Sequence, residues 1–199
     1  MSGSPRLVLA SGSPRRSELL DQMGLTHEVR PAYLDEAHRT GESWEDHVER
    51  LAREKAEAVA SEATDALVVG GDTVVVLDGE VLGKPADGNE AIGMLLSLSG
   101  RSHTVLSGVA LVGPHGALSS IGRAEVRFRT FGVEEARAYV ATREPMDKAG
   151  AYGIQGLGAA LVEGLDGDYY SVVGLPVGRL LDLLAQAGWR YTFGSLEPA

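Results

Sequence analysis

The chain has 199 residues, 44% of them hydrophobic and 23% charged, and it contains no cysteine. That balance is ordinary for a globular protein and excludes disorder, collagen and coiled coil, while the missing cysteine excludes disulfides, thiolate metal sites and cysteine nucleophiles. With 18 basic and 28 acidic residues the formal net charge is −10, which argues against a coat for DNA or an anionic membrane, since either needs a broad basic surface. A small anionic ligand stays open, because it needs only a local cluster of cations. At about 150 residues per domain the length suggests one domain over residues 1–199, with room for two lobes. The N-terminus has an apolar run only at residues 7–10, too short for a secretory signal. No stretch approaches the ~20 apolar residues of a membrane span. A cytoplasmic protein is expected.

In chain order, residues 6–10 form a short apolar run typical of a buried strand. Ser13-Pro14 opens a helix with Ser at the cap and Pro at the first helical position, striped by Leu19, Leu20 and Met23 and stopped by Gly24. A second helix begins at Ser43, with Asp46 three residues on and Trp44, Val48, Leu51, Ala52, Ala56 and Val59 at helical spacing. Residues 67–69, then Gly70-Gly71, then the β-branched run 73–77 follow, with Asp78-Gly79 as a two-residue hairpin signal returning through Val81-Leu82. Asp87 with Glu90 caps a third helix carrying Ala91, Met94, Leu95 and Leu98 and closed by Gly100. Strand-like segments near 104–112 and 124–129 are joined by a Pro114-His115-Gly116 turn, and 134–141 reads as a helix. Residues 150–158 are a Gly-rich loop. A strand at 159–163, a turn at 166–168 and a helix from Pro176 to Gly188 follow, and the polar C-terminal residues are expected to fray. Strands alternating with helices and broken by hairpins indicate an α/β fold with a mixed sheet.

Three local patterns bear on chemistry. Ser11-Gly12-Ser13-Pro14-Arg15-Arg16 lies between strand and helix, where unpaired N–H groups, a dipole end, hydroxyls and guanidiniums suit a phosphate. Plain capping with solvated arginines is the other reading. The spacing is not that of a P-loop. Asp72, in Gly70-Gly71-Asp72-Thr73, sits at a strand end, where it binds a divalent metal or takes a proton from water, or is buried at large cost, or lies in an ordinary turn. Lys84 precedes Pro85 at the hairpin exit, as many loop lysines do. Arg50, Arg53 and Lys55 stand among Glu49, Glu54 and Glu57, which reads as a solvated helix face with i,i+4 pairs. Gln155 offers a donor and an acceptor to a planar base. His27, His38, His47, His103 and His115 show no metal-ligand spacing, and G-x-S-x-G is absent.

The motifs LVLASGSPRRSELL, RLAREKA, GGDTVVVLDGEVLGKP, DKAGAYGIQG and VVGLP occur in one order over roughly residues 6–187. In this the chain resembles the Maf family of nucleoside triphosphate pyrophosphatases, associated with septum formation and with clearance of non-standard nucleotides. The resemblance implies an elongated α/β fold of the Maf/ITPase-like kind, with a mixed sheet flanked by helices and an active-site cleft between two lobes. It implies hydrolysis between the α and β phosphates with a divalent metal, magnesium or manganese, as cofactor. Ser11, Arg16, Lys55 and Lys84 would hold the triphosphate, Glu36 and Asp72 the metal, and Asp72 would be the general base. Arg15, Thr73 and Gln155 match the branch similar to dTTP/UTP pyrophosphatases rather than the branch acting on 7-methyl-GTP. Gly71 departs from the alanine more frequent in the family. Nucleoside triphosphates are the implied partners, nucleic acid and membrane are not, and a homodimer is compatible with the resemblance.

Overall fold

The computed structural model describes residues 4–114 and 116–199; residues 1–3 and His115, the middle of the expected turn, lie outside them. The chain divides into two compact units. The first takes the chain up to Asp72 together with Ser107–Gly122 and Gly174–Ala199, and the second takes Thr73–Leu106 and Arg123–Val173.

In the first unit β1 (Arg6–Leu9) pairs in parallel with β3 (Ala66–Leu77), from Arg6 opposite Ala66 to Leu9 opposite Val69. The two-residue β2 (Glu28–Val29), not expected from the sequence, pairs in parallel on the other side of β1. Parallel strands need cover on both faces, which explains why Val8, Leu9, Val68 and Val69 are all fully buried. Helix α1 (Pro14–Gln22) starts at Pro14 as expected, but Ser13 makes no side-chain cap. Helix α2 (Trp44–Ala60) is capped as expected: Ser43 Oγ accepts from the Asp46 N–H at 3.0 Å, a bond worth about 1 kcal/mol.

Helix α2 packs on the sheet through small residues, with Ala52, Ala56 and Val59 against Val8, Ala10, Val68 and Ala110. Two glycines permit the closeness. A Cβ on Gly70 would lie 2.0 Å from the Ala52 carbonyl oxygen, and one on Gly108 would lie 2.2 Å from that of Val48. Gly70-Gly71-Asp72 is therefore neither a turn nor a strand end. It lies in the middle of a 12-residue strand, because glycine serves here for helix approach and not for chain reversal.

Beyond helix α6 (Val177–Gln186) the C-terminal residues do not fray. Strands β8 (Trp189–Tyr191) and β9 (Leu196–Pro198) form an antiparallel hairpin, Leu196 is buried, and the Tyr191 hydroxyl donates to the Met23 carbonyl at 2.9 Å.

In the second unit β3 turns back antiparallel into β4 (Glu80–Leu82), and Asp78 and Gly79 both take positive φ, the two-residue geometry their sequence signals. Asp87 caps α3 (Gly88–Leu98) by accepting from the Asn89 and Glu90 N–H groups. Strands β5 (Ser102–Gly113) and β6 (Gly116–Phe128) run longer than expected and contribute to both units. β7 (Val162–Gly167) pairs antiparallel with β6. It starts later than residue 159 because Gly156–Leu161 coil as a 3-10 helix. Helix α4 (Val133–Ala141) matches expectation, and the short α5 (Tyr169–Val173) was not foreseen. Large residues fill this core, among them Leu95, Leu98, Phe128, Phe131, Tyr139 and Tyr152. The sheet has parallel and antiparallel pairs, in the order β2-β1-β3-β5-β6-β7 with β4 on β3. This is a mixed α/β fold with helices flanking a seven-stranded sheet.

Candidate active site

The chain leaves β1 through Ser11-Gly12-Ser13 and enters α1 with Arg16 in its first turn. Arg16 is buried. Its Nη1 donates to Ser11 Oγ at 2.8 Å and its Nε to the Gly174 carbonyl at 2.7 Å, while Ser11 Oγ also accepts the Ser13 N–H at 3.2 Å. Burial pushes the Arg16 guanidinium below its ordinary pKa, with the charges of Asp72 and Glu36 opposing that shift and Arg15 adding to it. The corner is thus more than a cap with solvated arginines. It holds one guanidinium rigidly within the field of two carboxylates, and Arg15 is half-buried beside it.

The register of β3 builds the second half of the site. Residues 70 and 72 share a face of the strand. Gly70 lets Ala52 of α2 settle on that face, and Lys55, nearly one turn further along α2, meets Asp72. Lys55 Nζ lies 2.7 Å from Asp72 Oδ1 and 2.7 Å from Glu36 Oε1. Lys55 and Asp72 are buried, whereas the Glu36 side chain is 56% exposed. Lys55 therefore does not belong to a solvated helix face. An ammonium that deep is tolerated because two carboxylates answer it. On the other face of β3, a Cβ at Gly71 would come within 3.0 Å of Arg16 Nε, so the glycine at this position gives the guanidinium its room.

Glu36 and Asp72 are also the candidate metal ligands. Among the described residues no three of His, Cys, Asp and Glu form a metal-holding group. Magnesium, however, characteristically takes one or two carboxylates and completes its shell with water and substrate phosphate oxygens. Two hard oxygen donors on one ammonium, one buried and one open to solvent, fit that habit.

The remaining expected residues belong to the second unit. Thr73 follows Asp72 on β3 and is half-buried. Lys84 is exposed in the segment after β4, where the neighbouring Gly83 carbonyl accepts the Gly150 N–H at 3.0 Å and so ties the two motifs together. Gln155 is half-buried in the loop before the 3-10 helix. That loop is shaped by Glu144, whose carboxylate accepts the Leu157 and Gly158 N–H groups, each at 2.9 Å, and the Tyr139 hydroxyl.

Three contributors were missed in the sequence. Ser107, fully buried, donates its hydroxyl to the Asp72 carbonyl at 3.2 Å; its signal was a lone hydroxyl inside an apolar strand. Gly174 receives Arg16 through its carbonyl, which leaves no trace in residue type. Arg50, read as part of a solvated face, grips Glu42 with Nε at 2.5 Å and Nη2 at 2.8 Å. Its i,i+4 pair with Glu54 is present at 3.1 Å as the charge spacing foretold.

A family model described as Maf-like protein matches residues 6–187. A dTTP/UTP pyrophosphatase of Symbiobacterium thermophilum is 53% identical over 184 residues, covering 92% of this chain and 95% of its own. The dTTP/UTP pyrophosphatase of Pelotomaculum thermopropionicum is 50% identical over 185 residues, with 92% and 97% covered. That of Moorella thermoacetica is 52% identical over 187 residues, with 92% and 95% covered. The match of the family model over almost the whole chain, and relatives of this identity and coverage, place the chain in the Maf family.

Proposed function

We propose that the chain hydrolyses dTTP and UTP between the α and β phosphates, giving the nucleoside monophosphate and pyrophosphate. One observation carries the reading: the Lys55 ammonium bonds two carboxylates, beside a helix N-terminus whose buried arginine bonds Ser11. That arrangement suits a phosphate chain accompanied by a dication, and relatives about half identical in sequence are dTTP/UTP pyrophosphatases.

In this reading the α1 N-terminus, Ser11 and Arg16 hold phosphate oxygens, and Arg16 approaches them in a fixed geometry because Gly174 anchors its Nε. Lys55 neutralises charge on the triphosphate and keeps Asp72 aimed by holding Oδ1. Asp72 Oδ2 takes the proton of the attacking water. The water oxygen bonds to the α phosphorus, the bond from that phosphorus to the bridging oxygen breaks, and pyrophosphate leaves with the electron pair. Positioning and charge stabilisation supply most of the rate in such transfers. A magnesium or manganese ion held by Glu36 and Asp72 would supply Lewis-acid stabilisation of the developing phosphate charge. Lys84 adds a further cation for the leaving pyrophosphate, and Arg15, Thr73 and Gln155 choose the base, Gln155 by pairing donor and acceptor with the pyrimidine edge.

A product assay with magnesium or manganese tests this, offering dTTP, UTP, CTP, GTP, ITP and 7-methyl-GTP separately and quantifying pyrophosphate and monophosphate. Pyrophosphate mainly from dTTP and UTP is expected. Preference for 7-methyl-GTP or ITP would keep the chemistry and overturn the roles of Arg15, Thr73 and Gln155. No product from a folded, metal-supplied sample would turn the reading toward a non-catalytic nucleotide-binding regulator of septum formation.

A further inference from the structure

Glu36 stands on a segment that has little to hold it. Residues 30–39 form no helix or strand, and from 31 to 43 no residue is buried, with Tyr33 92% exposed. Ala32 packs on the core four residues before Glu36, and a segment so thinly anchored is ordinarily mobile, yet a metal carboxylate must be held close to its productive position. The segment is instead gripped by polar contacts from α2. Arg50 donates to both carboxylate oxygens of Glu42, at 2.5 and 2.8 Å, and the two side chains are only 14% and 9% exposed. The same Arg50 Nη2 donates to the Ala37 carbonyl at 3.3 Å, on the residue immediately after Glu36.

Glu42 passes the grip on. Its Oε2 accepts the Arg39 N–H at 3.2 Å, and its backbone carbonyl lies 3.0 Å from His38 Nε2. The His38 ring in turn packs on Trp44, with centroids 4.1 Å apart. Arg39 reaches Glu54 of α2 at 2.8 Å. Helix α2 thus touches the segment through Arg50 at Ala37 and Glu42, through Glu54 at Arg39, and through Lys55 at Glu36 itself. The bidentate fork also explains why arginine stands at position 50: a lysine offers one point charge and cannot span both oxygens of Glu42 while reaching a carbonyl.

We infer that Arg50, through Glu42 and the Ala37 carbonyl, is a positioning residue that sets Glu36 for the divalent metal. The inference rests on Glu36 being a metal carboxylate, as the proposed function has it. Partners that orient a metal ligand without touching the metal typically change affinity ~10–100-fold when removed.

The test compares wild type, Arg50→Met, Arg50→Lys, Glu36→Gln and the double variant Glu36→Gln/Arg50→Met, in full-length protein. Manganese binding is measured by titration calorimetry with a non-hydrolysable triphosphate present, and backbone amide exchange is followed over residues 35–42. Arg50→Met should weaken manganese binding roughly tenfold and speed exchange in that segment while leaving exchange in the β3 core unchanged. Arg50→Lys should recover only part of the loss, and in the Glu36→Gln background Arg50→Met should add nothing. Unchanged exchange over 35–42, or equal weakening with and without Glu36, would overturn the role of Arg50. Wild-type manganese affinity in Glu36→Gln alone would instead overturn the reading of Glu36 on which the inference stands.

Discussion

Removing the Lys55 ammonium is the most direct perturbation of the site. In Lys55→Met the aliphatic stem is retained and the charge that bonds Asp72 Oδ1 and Glu36 Oε1, each at 2.7 Å, is lost. Asp72 is only 8% exposed, so its carboxylate cannot recover the lost interaction from bulk water. Breaking a buried pair by removing one partner costs ~3–5 kcal/mol, because the other charge is left uncompensated. The lower end applies here, since the Arg16 guanidinium still acts on Asp72. Glu36, more than half exposed, rehydrates at little cost. The expected loss is about 3 kcal/mol, or roughly 6–12 °C in Tm for a chain of this length.

Asp72→Asn should cost less, as Lys55 keeps Glu36. The double variant Lys55→Met/Asp72→Asn should regain part of the stability lost in Lys55→Met, because it buries no unpaired charge. Urea unfolding of all four proteins at pH 7 measures the cycle, and pyrophosphate release measures the chemistry, which should fall by ~10²–10⁴-fold in Asp72→Asn with the fold intact. Strictly additive stabilities, with Lys55→Met within error of wild type, would refute the buried pair. Wild-type-like turnover in Asp72→Asn would refute the base.

Three further outcomes are expected. His103 is 2% exposed and burial depresses its pKa to about 4, against an unfolded value near 6.5. The unfolded chain then binds the extra proton first, so the His103 contribution to stability is nearly complete above about pH 6.5 and falls by roughly 2–3 kcal/mol on going to pH 4.5; urea curves of His103→Leu with the same pH slope as wild type would contradict this. Gly70→Ala places a Cβ 2.0 Å from the Ala52 carbonyl oxygen, forcing α2 off the strand at a cost of ~1–3 kcal/mol. It should lower turnover as well by drawing Lys55 from Asp72, and a Gly70→Ala protein with unchanged Tm and turnover would show the contact to be slack. Gln155→Ala should relax discrimination among dTTP, UTP, CTP and GTP more than it slows dTTP, and an equal loss on every nucleotide would remove Gln155 from base reading.

Much of the fold is written locally. The caps at Ser43 and Asp87 and the Asp78-Gly79 turn act over two or three residues, and the structure shows all of them where the residue types place them. What was not legible depends on residues far apart in the chain. Nothing in Glu28-Val29 alone marks a strand, since its order comes from pairing with Val8 and Leu9. The polar C-terminal residues look frayed until Leu196 finds a buried position and Tyr191 finds Met23. Gly70-Gly71 has good turn composition, and it takes the Ala52 carbonyl beside Gly70 and the Arg16 guanidinium beside Gly71 to explain glycine in a strand. The site divides in the same way. Residue type announces Arg16, Lys55 and Asp72 as chemically able, whereas burial and partners alone distinguish them from ordinary solvated charges.

The charges of the first unit also say what sort of ligand this site prefers. Arg15, Arg16 and Lys55 bring three positive charges, and Glu36 and Asp72 two negative ones. In the free protein the Lys55 ammonium answers both carboxylates. A triphosphate alone would meet two carboxylates on one ammonium, and a dication alone would meet the Lys55 ammonium already bonded to both carboxylates. Brought together, the dication answers the carboxylates and the triphosphate answers the ammonium and guanidiniums, so that no buried charge loses a partner. Metal and nucleotide should therefore bind with positive coupling, each tightening the other by the same factor as linkage requires. Such coupling offers a physical reason for a protein with net charge −10 to take up a polyanion at all.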